Sequence, residues 1–170
     1  MHIIKLNGKE ADITRYWEYH EARFLHSIDV LRKYGSGRVL EVGGHPWAMT
    51  SMIGCTPGFD LVATISAEEI TPWPDDIGVR SRRYRLEGPN GRSVSFCNYS
   101  VNIERTLMDI QEPVDLVFAC EIIEHLVRSP HLMLLNINRW LNMHGKVLLT
   151  TPNAMQFNKP FRRKNDRADR

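Results

Sequence analysis

Short apolar runs, each followed by a turn and then by a helical stripe, recur along this chain, and that order constrains its fold more than any other feature. Residues 38–44, "RVLEVGG", form an apolar run closed by glycines, and Pro46 in the following "PWAMTSMI" is placed for a first helical turn. That block reads as strand, glycine turn, helix. "FDLVATIS", Phe59–Ser66, reads as a second strand, and Ser66 with Glu69 has capping-box spacing for a brief helix before Thr71 and Pro72. "VDLVFA", residues 114–119, is a further buried strand that leads into a helix carrying Glu121, Glu124 and His125. Ser129 and Pro130 open another helix through Met133, Leu134, Ile137, Trp140 and Leu141, before "HGKVLLTTPN" supplies a turn and a last strand. Strands apolar along their whole length need cover on both faces, so the class is α/β with a doubly wound, mostly parallel sheet.

Ahead of the first of these blocks, residues 15–34 place Trp17, Phe24, Leu25, Ile28 and Leu31 at helical spacing, with Gly35 and Gly37 as a stop. Residues 72–91 break the rhythm. There "RYRLEGPNGRSVSF" alternates polar with apolar around Gly-Pro-Asn-Gly and predicts a hairpin. Its arginines, Arg80, Arg82, Arg83, Arg85 and Arg92, could meet an anionic substrate, but a solvated hairpin face is the favoured reading.

A chain of 170 residues with 42% hydrophobic content buries one ordinary core, which assigns residues 1–154 to a single domain and 155–170 to a basic polar tail. The 22 basic and 20 acidic side chains nearly cancel, which argues against nucleic acid or an anionic membrane as partner. Cys55, Cys97 and Cys120 are far apart and lack C-x-x-C spacing, so neither a disulfide framework nor a zinc knuckle is expected, and a cytoplasmic location fits. No apolar run reaches the roughly 18 residues that span a bilayer.

In open α/β sheets ligands sit beyond the carboxyl ends of the strands, where strand order reverses. The polar residues of this chain gather at those ends: residues 41–45 after the first strand, Thr64 and Ser66 after the second, residues 98–104 after the third, Glu121 after the fourth. "EVGGHPW" is neither G-x-G-x-x-G nor a phosphate loop, and an acidic residue before the glycines repels phosphates. It suits a ligand with a cationic amino group.

"RVLEVGGHPWAMTSMI" resembles motif I of the class I S-adenosylmethionine-dependent methyltransferases, and "VNIERTLMDIQEPVDLVFACEIIEHL" with "WLNMHGKVLLTTPN" is similar to their later motifs. The likeness covers residues 16–153. It is nearest to the bacterial group associated with polysaccharide or secondary-metabolite biosynthesis, whose helix before motif I resembles Tyr16, Trp17, Tyr19, His20 and Arg23. The resemblance implies that Glu41 and Gly43 hold the methionine end of the cofactor and that Gly44 lets backbone approach it. It places Thr64 where the family has an acidic ribose binder, Asn102 at the adenine edge, Ile103 against the ring, and Ala119, Cys120 and Glu121 along the cofactor. His45 and Trp47 stand where motif I commonly has glycines. The implied activity is methyl transfer to an oxygen or nitrogen of a small molecule or sugar. A cofactor-binding partner that stabilises an active homologue is the rival reading.

Positions 121, 124 and 125 would share one helical face within a turn. Three roles compete for them. His125 as general base, assisted by Glu124, suits removal of a hydroxyl proton near neutrality. A divalent metal on Glu121, Glu124 and His125 resembles the small-RNA 3′-terminal ribose 2′-O-methyltransferases, whose motifs are similar to "EIIEH" and "TPNAMQFN", although no histidine follows His144. A hydrogen-bonded pair of Glu124 and His125 is the third. Such folds normally continue past "TTPN" with two more strands, so the sheet is expected to lack them, and a homodimer or a partner subunit is expected to complete it.

Overall fold

The computed structural model describes residues 2–66, 78–88, 91–127 and 129–152. In chain order these form β1 (Ile3–Leu6), β2 (Lys9–Asp12), α1 (Thr14–Tyr34), β3 (Gly37–Val42), α2 (Ala48–Cys55) and β4 (Phe59–Ser66). Then come β5 (Arg80–Glu87), β6 (Ser93–Ser100), β7 (Val114–Cys120), α3 (His131–Trp140) and β8 (Leu141–Thr150). The short helix expected after Ser66 and the basic tail lie outside the described residues.

The eight strands of the described residues join one sheet in the order β2-β1-β5-β6-β4-β3-β7-β8. The run from β6 to β8 is parallel throughout. From β3 the chain steps outward through β4 to β6, then returns to the other side of β3 to lay down β7 and β8. Strand order therefore reverses between β3 and β7, and a crevice opens beyond their carboxyl ends. The expected class holds: the molecule is α/β with a mostly parallel sheet.

The other half of the sheet is antiparallel. β5 and β6 form the expected hairpin, in register from Arg80 opposite Ser100 to Glu87 opposite Ser93. β1 and β2 have no counterpart in the sequence reading. Their turn is Asn7-Gly8, with φ of 49° and 81°, the pair of positive angles that a two-residue hairpin loop requires. β1 adds this hairpin to the free edge of β5, setting Leu6 beside Leu86. At the opposite edge β8 is the last described strand, with Val147 and Leu149 partly exposed.

Helices cover both faces. Trp17, Phe24, Ile28 and Leu31 of α1, with Met49 and Ile53 of α2, pack over Val39, Leu61, Leu116 and Phe118. Leu25, expected on that stripe, is 49% exposed. It falls about 100° around the helix from Phe24, beyond the buried arc, and Ser27 is buried instead. On the second face Met133, Ile137 and Trp140 of α3 pack over Leu40, Val117 and Ala119. Burying each large side chain contributes roughly 1.5–3 kcal/mol, so α3 is anchored by its core residues. An irregularity in the β3/β4 ladder between Val39 and Leu40 lets Leu61 serve the first core while Ala63 and Ile65 serve the second. Among the described residues no helix is long and apolar enough to cross a membrane.

The segment from Val101 to Val114 crosses back without a helix and is pinned by side chains of α3. The Asn136 amide donates to the Thr106 carbonyl at 2.7 Å and its Oδ1 accepts from the Met108 amide at 2.9 Å. The Trp140 indole donates to the Met108 carbonyl at 3.0 Å. Asn136 is fully buried, so Asn136→Ala strands a buried donor and a buried acceptor. That substitution is expected to cost about 1–3 kcal/mol and to speed amide hydrogen exchange at Met108, measured by mass spectrometry or NMR. Unchanged exchange would show that the segment is held by other means.

Candidate functional site

The crevice is built around the turn after β3. Gly43 has φ +88° and donates its amide to the Ile65 carbonyl at 2.7 Å. A Cβ there would overlap Cγ1 and Cδ1 of Ile122, so glycine is required both by its backbone angle and by the side chain lying against it. Gly44, His45, Pro46 and Trp47 complete the turn, with a cis His45–Pro46 peptide and the Trp47 amide donating to the Gly44 carbonyl at 2.6 Å. Pro46 thus precedes the helix rather than opening it, because α2 begins at Ala48. Trp47 turns into the core against Tyr84 and Phe96, each ring 5.6 Å away, while His45 is exposed.

Glu41 lies beneath this turn, 2% exposed. The Thr50 hydroxyl stands 2.5 Å from its Oε2 and 3.2 Å from the Gly44 carbonyl. One hydroxyl proton cannot serve both acceptors. Burial pushes the Glu41 carboxyl up to about 7, against the pull of the Thr50 hydrogen bond. A protonated Glu41 resolves the conflict by donating to Thr50, which then donates to Gly44. Glu41 therefore supports the loop from below and is not part of the cavity wall.

That wall encloses a cavity of about 450 Å³. It is formed by the ends of β3 and β4, at Gly43 and Ser66, by the segment from Val101 to Arg105, and by the turn after β7 from Ile122 to Val127. Of the residues singled out in the sequence, Gly43, Asn102, Ile103 and His125 line it. Asn102 accepts the Glu104 amide on Oδ1 at 3.0 Å, and Glu104 in turn accepts the Ser129 amide at 3.2 Å, which ties the segment after β6 to the loop before α3. Gly44, Ala119 and Cys120 lie outside the wall, and Ala119 is fully buried in the sheet. Thr64 is also fully buried and donates to Asn98 Oδ1 at 2.8 Å, and Ser66, the β4 residue that lines the cavity, donates its hydroxyl to the same oxygen at 3.0 Å.

Glu121, Glu124 and His125 do not share a helical face. Glu121 has φ +56°, outside helical backbone, and only a three-residue 3-10 turn, Ile123–His125, follows it. Ile122, Ile123 and Leu126 pack on the second core, and fitting them there leaves the polar groups facing apart. Glu121 goes to α1, where its Oε2 meets Arg23 Nη1 at 2.7 Å and its Oε1 accepts from the Thr150 hydroxyl at 3.0 Å. Glu124 is exposed, with the Thr151 hydroxyl donating to it at 3.5 Å. His125 alone of the three lines the cavity. Among the described residues no three His, Cys, Asp or Glu side chains gather as a metal site.

Arg23 belongs to a polar stripe on α1, with Tyr16, His20 and Ser27, that meets Glu41, Cys120 and Glu121 at the strand ends. Burial raises the Tyr16 phenol although Arg23 opposes it, burial with Arg23 beside it lowers the His20 imidazole, and burial pushes the Cys120 thiol up to about 11. Arg23 Nε is buried without a partner. The ion pair to Glu121 has no local signature, because its partners are remote in sequence. The spacing of His20 and Arg23 ahead of the glycine turn was the available signal.

No protein-family model, curated protein or solved structure matches the chain.

Proposed function

We propose that the chain is an S-adenosylmethionine-dependent methyltransferase that moves a methyl group to an oxygen or nitrogen of a small molecule or sugar. The observation that carries this reading is the cavity at the point of strand-order reversal, walled by the Gly43 turn on one side and the turn after β7 on the other. Its volume suits a nucleoside-sized ligand. Apolar Ile65, Val101 and Ile103 offer faces for a base, and Asn102 offers a polar contact that orients it. Gly43 allows close approach of backbone, and the Glu41 carboxyl beneath it favours a cationic neighbour once ionised. Bound there, S-adenosylmethionine supplies an electrophilic methyl group. Transfer then asks the protein for alignment and for removal of a proton from the acceptor. His125 at the cavity edge is the base for that proton.

Calorimetry with S-adenosylhomocysteine tests the cofactor, and transfer of a labelled methyl group to small molecules of a cell extract tests the reaction. Submillimolar binding with transfer that falls at least tenfold in His125→Ala is the result the reading requires. No binding at millimolar ligand would end it. Binding without transfer would favour a cofactor-binding partner of another methyltransferase, a reading supported by Thr64, which bonds Asn98 instead of offering a carboxylate to a ribose. Metal-dependent ribose methylation of RNA gains no support, since Glu121 and Glu124 diverge from His125.

A further inference from the structure

We infer that Arg23 of α1 is a positioning residue for the cavity: through Glu121 it holds the left-handed turn that brings Ile122 and His125 to the cavity wall. Glu121 stands just past the end of β7, between the two faces of the sheet. Its side chain goes to α1, on the face of the first core, while the next side chain, that of Ile122, packs on the second core. The backbone that parts them has φ +56° at Glu121, a conformation that disfavours a residue with a Cβ by roughly tenfold. Three contacts at Glu121 offset that cost. Its amide donates to the Thr150 carbonyl at 3.0 Å, its Oε1 accepts from the Thr150 hydroxyl at 3.0 Å, and its Oε2 meets Arg23 Nη1 at 2.7 Å. Thr150 ends the neighbouring strand β8, so Arg23 is what α1 contributes to the turn.

The turn in turn shapes the cavity. Ile122 lies against Gly43, where a Cβ would overlap it, and Gly43, Ile122 and His125 all line the wall. The His125 amide donates to the Ile122 carbonyl at 3.0 Å, so His125 follows wherever Ile122 is placed. A guanidinium of α1 thus sets a wall to which α1 supplies no residue of its own. Packing of the helix does not account for the pair. Trp17, Phe24, Ile28 and Leu31 already anchor α1 in the first core, and Arg23 reaches Glu121 with its own Nε buried and unpartnered, a cost that an arginine left in water avoids. The Glu121 side chain is 17% exposed, so water and salt screen this pair less than one on the open surface.

Amide hydrogen exchange of the full chain without ligand, read by NMR, tests this at His125 and Leu126, whose amides are bonded within the turn. Arg23→Ala should speed exchange there about tenfold, the scale of one lost charge-assisted hydrogen bond, while Val117 in the middle of β7 stays within about twofold of wild type. Arg23→Lys returns the charge and should recover most of the protection. Glu121→Gly removes the ion pair as completely as Glu121→Ala but adopts positive φ freely, so its turn should exchange about threefold more slowly than that of the alanine variant. Should Arg23→Ala fail to fold by circular dichroism, Arg23→Met, which keeps a stem beside Phe24, carries the same expectation. Unchanged exchange in the turn, an equal rise at Val117, or equal rates in the two Glu121 variants would each overturn the assignment. Only the ligand arm rests on the methyltransferase reading: S-adenosylhomocysteine should bind Arg23→Ala about tenfold more weakly than wild type, with Arg23→Lys restoring most of the loss. Equal binding by wild type and Arg23→Ala would overturn the positioning role, whereas no binding by the wild type removes the methyltransferase reading and leaves the exchange result standing.

Discussion

Gly43→Ala is expected to lower the melting temperature by about 5–10 °C and to abolish S-adenosylhomocysteine binding. A side chain at positive φ costs about 1–2 kcal/mol, and crowding Ile122 adds about 1 kcal/mol. At about 2–4 °C per kcal/mol for a domain of this size, the sum gives that range. The two contributions are separable. Gly43→Ala with Ile122→Ala should cancel the crowding, keep the backbone strain, and add the cost of a new cavity. Gly44→Ala is the control: Gly44 lacks positive φ, and its added Cβ would meet side chains at 3.0–3.3 Å, so a smaller loss is expected. A thermal melt of Gly43→Ala indistinguishable from wild type would show that the loop relaxes freely and that its shape is not imposed by Ile122.

Glu41→Gln is expected to make the protein more stable at pH 8 and to leave it nearly unchanged at pH 4.5. The Glu41 carboxyl is raised from 4.5 to about 7 by burial. Between those values the folded chain keeps a proton that the unfolded chain has released, so stability falls as pH rises through the window. The penalty is complete above pH 7 and absent below pH 4.5. At 1.36 kcal/mol per unit it reaches about 3 kcal/mol. Glutamine retains a group that can bond Thr50 without ionising. Urea unfolding at both pH values measures the difference, and a Glu41→Gln chain less stable at pH 8 would mean that the carboxylate is ionised and compensated in the folded chain.

Much of the sheet could be read from the chain because its parallel strands are nearly apolar throughout and each ends in a turn. β3, β4 and β7 fall where their runs of Val, Leu and Ile predict, and the β5–β6 hairpin follows its alternation; β8 includes its predicted run but starts at Leu141, expected to close the helix, and takes in the expected turn at His144-Gly145. The N-terminal hairpin was legible in Asn7-Gly8 but short, and β2 is exposed along its whole length, so its pairing owes little to a buried face. Among site residues, Gly43, Asn102, Ile103 and His125 reach the cavity because they stand at strand ends of the central sheet. Thr64 stands at such an end too, yet a neighbouring strand brings Asn98 within bonding distance and turns its hydroxyl inward.

By itself the sequence determined the strand, turn and helix alternation, the side of the sheet where polar residues collect, and the glycine that the β3 turn requires. Local pattern suffices for these, since apolar periodicity and backbone angles are properties of a few consecutive residues. Tertiary structure alone decided that Glu121 answers to Arg23, that Glu41 lies under the loop with a raised carboxyl, and that His125 parts from both glutamates. Each of those depends on which remote element packs alongside, and on how much water that packing removes.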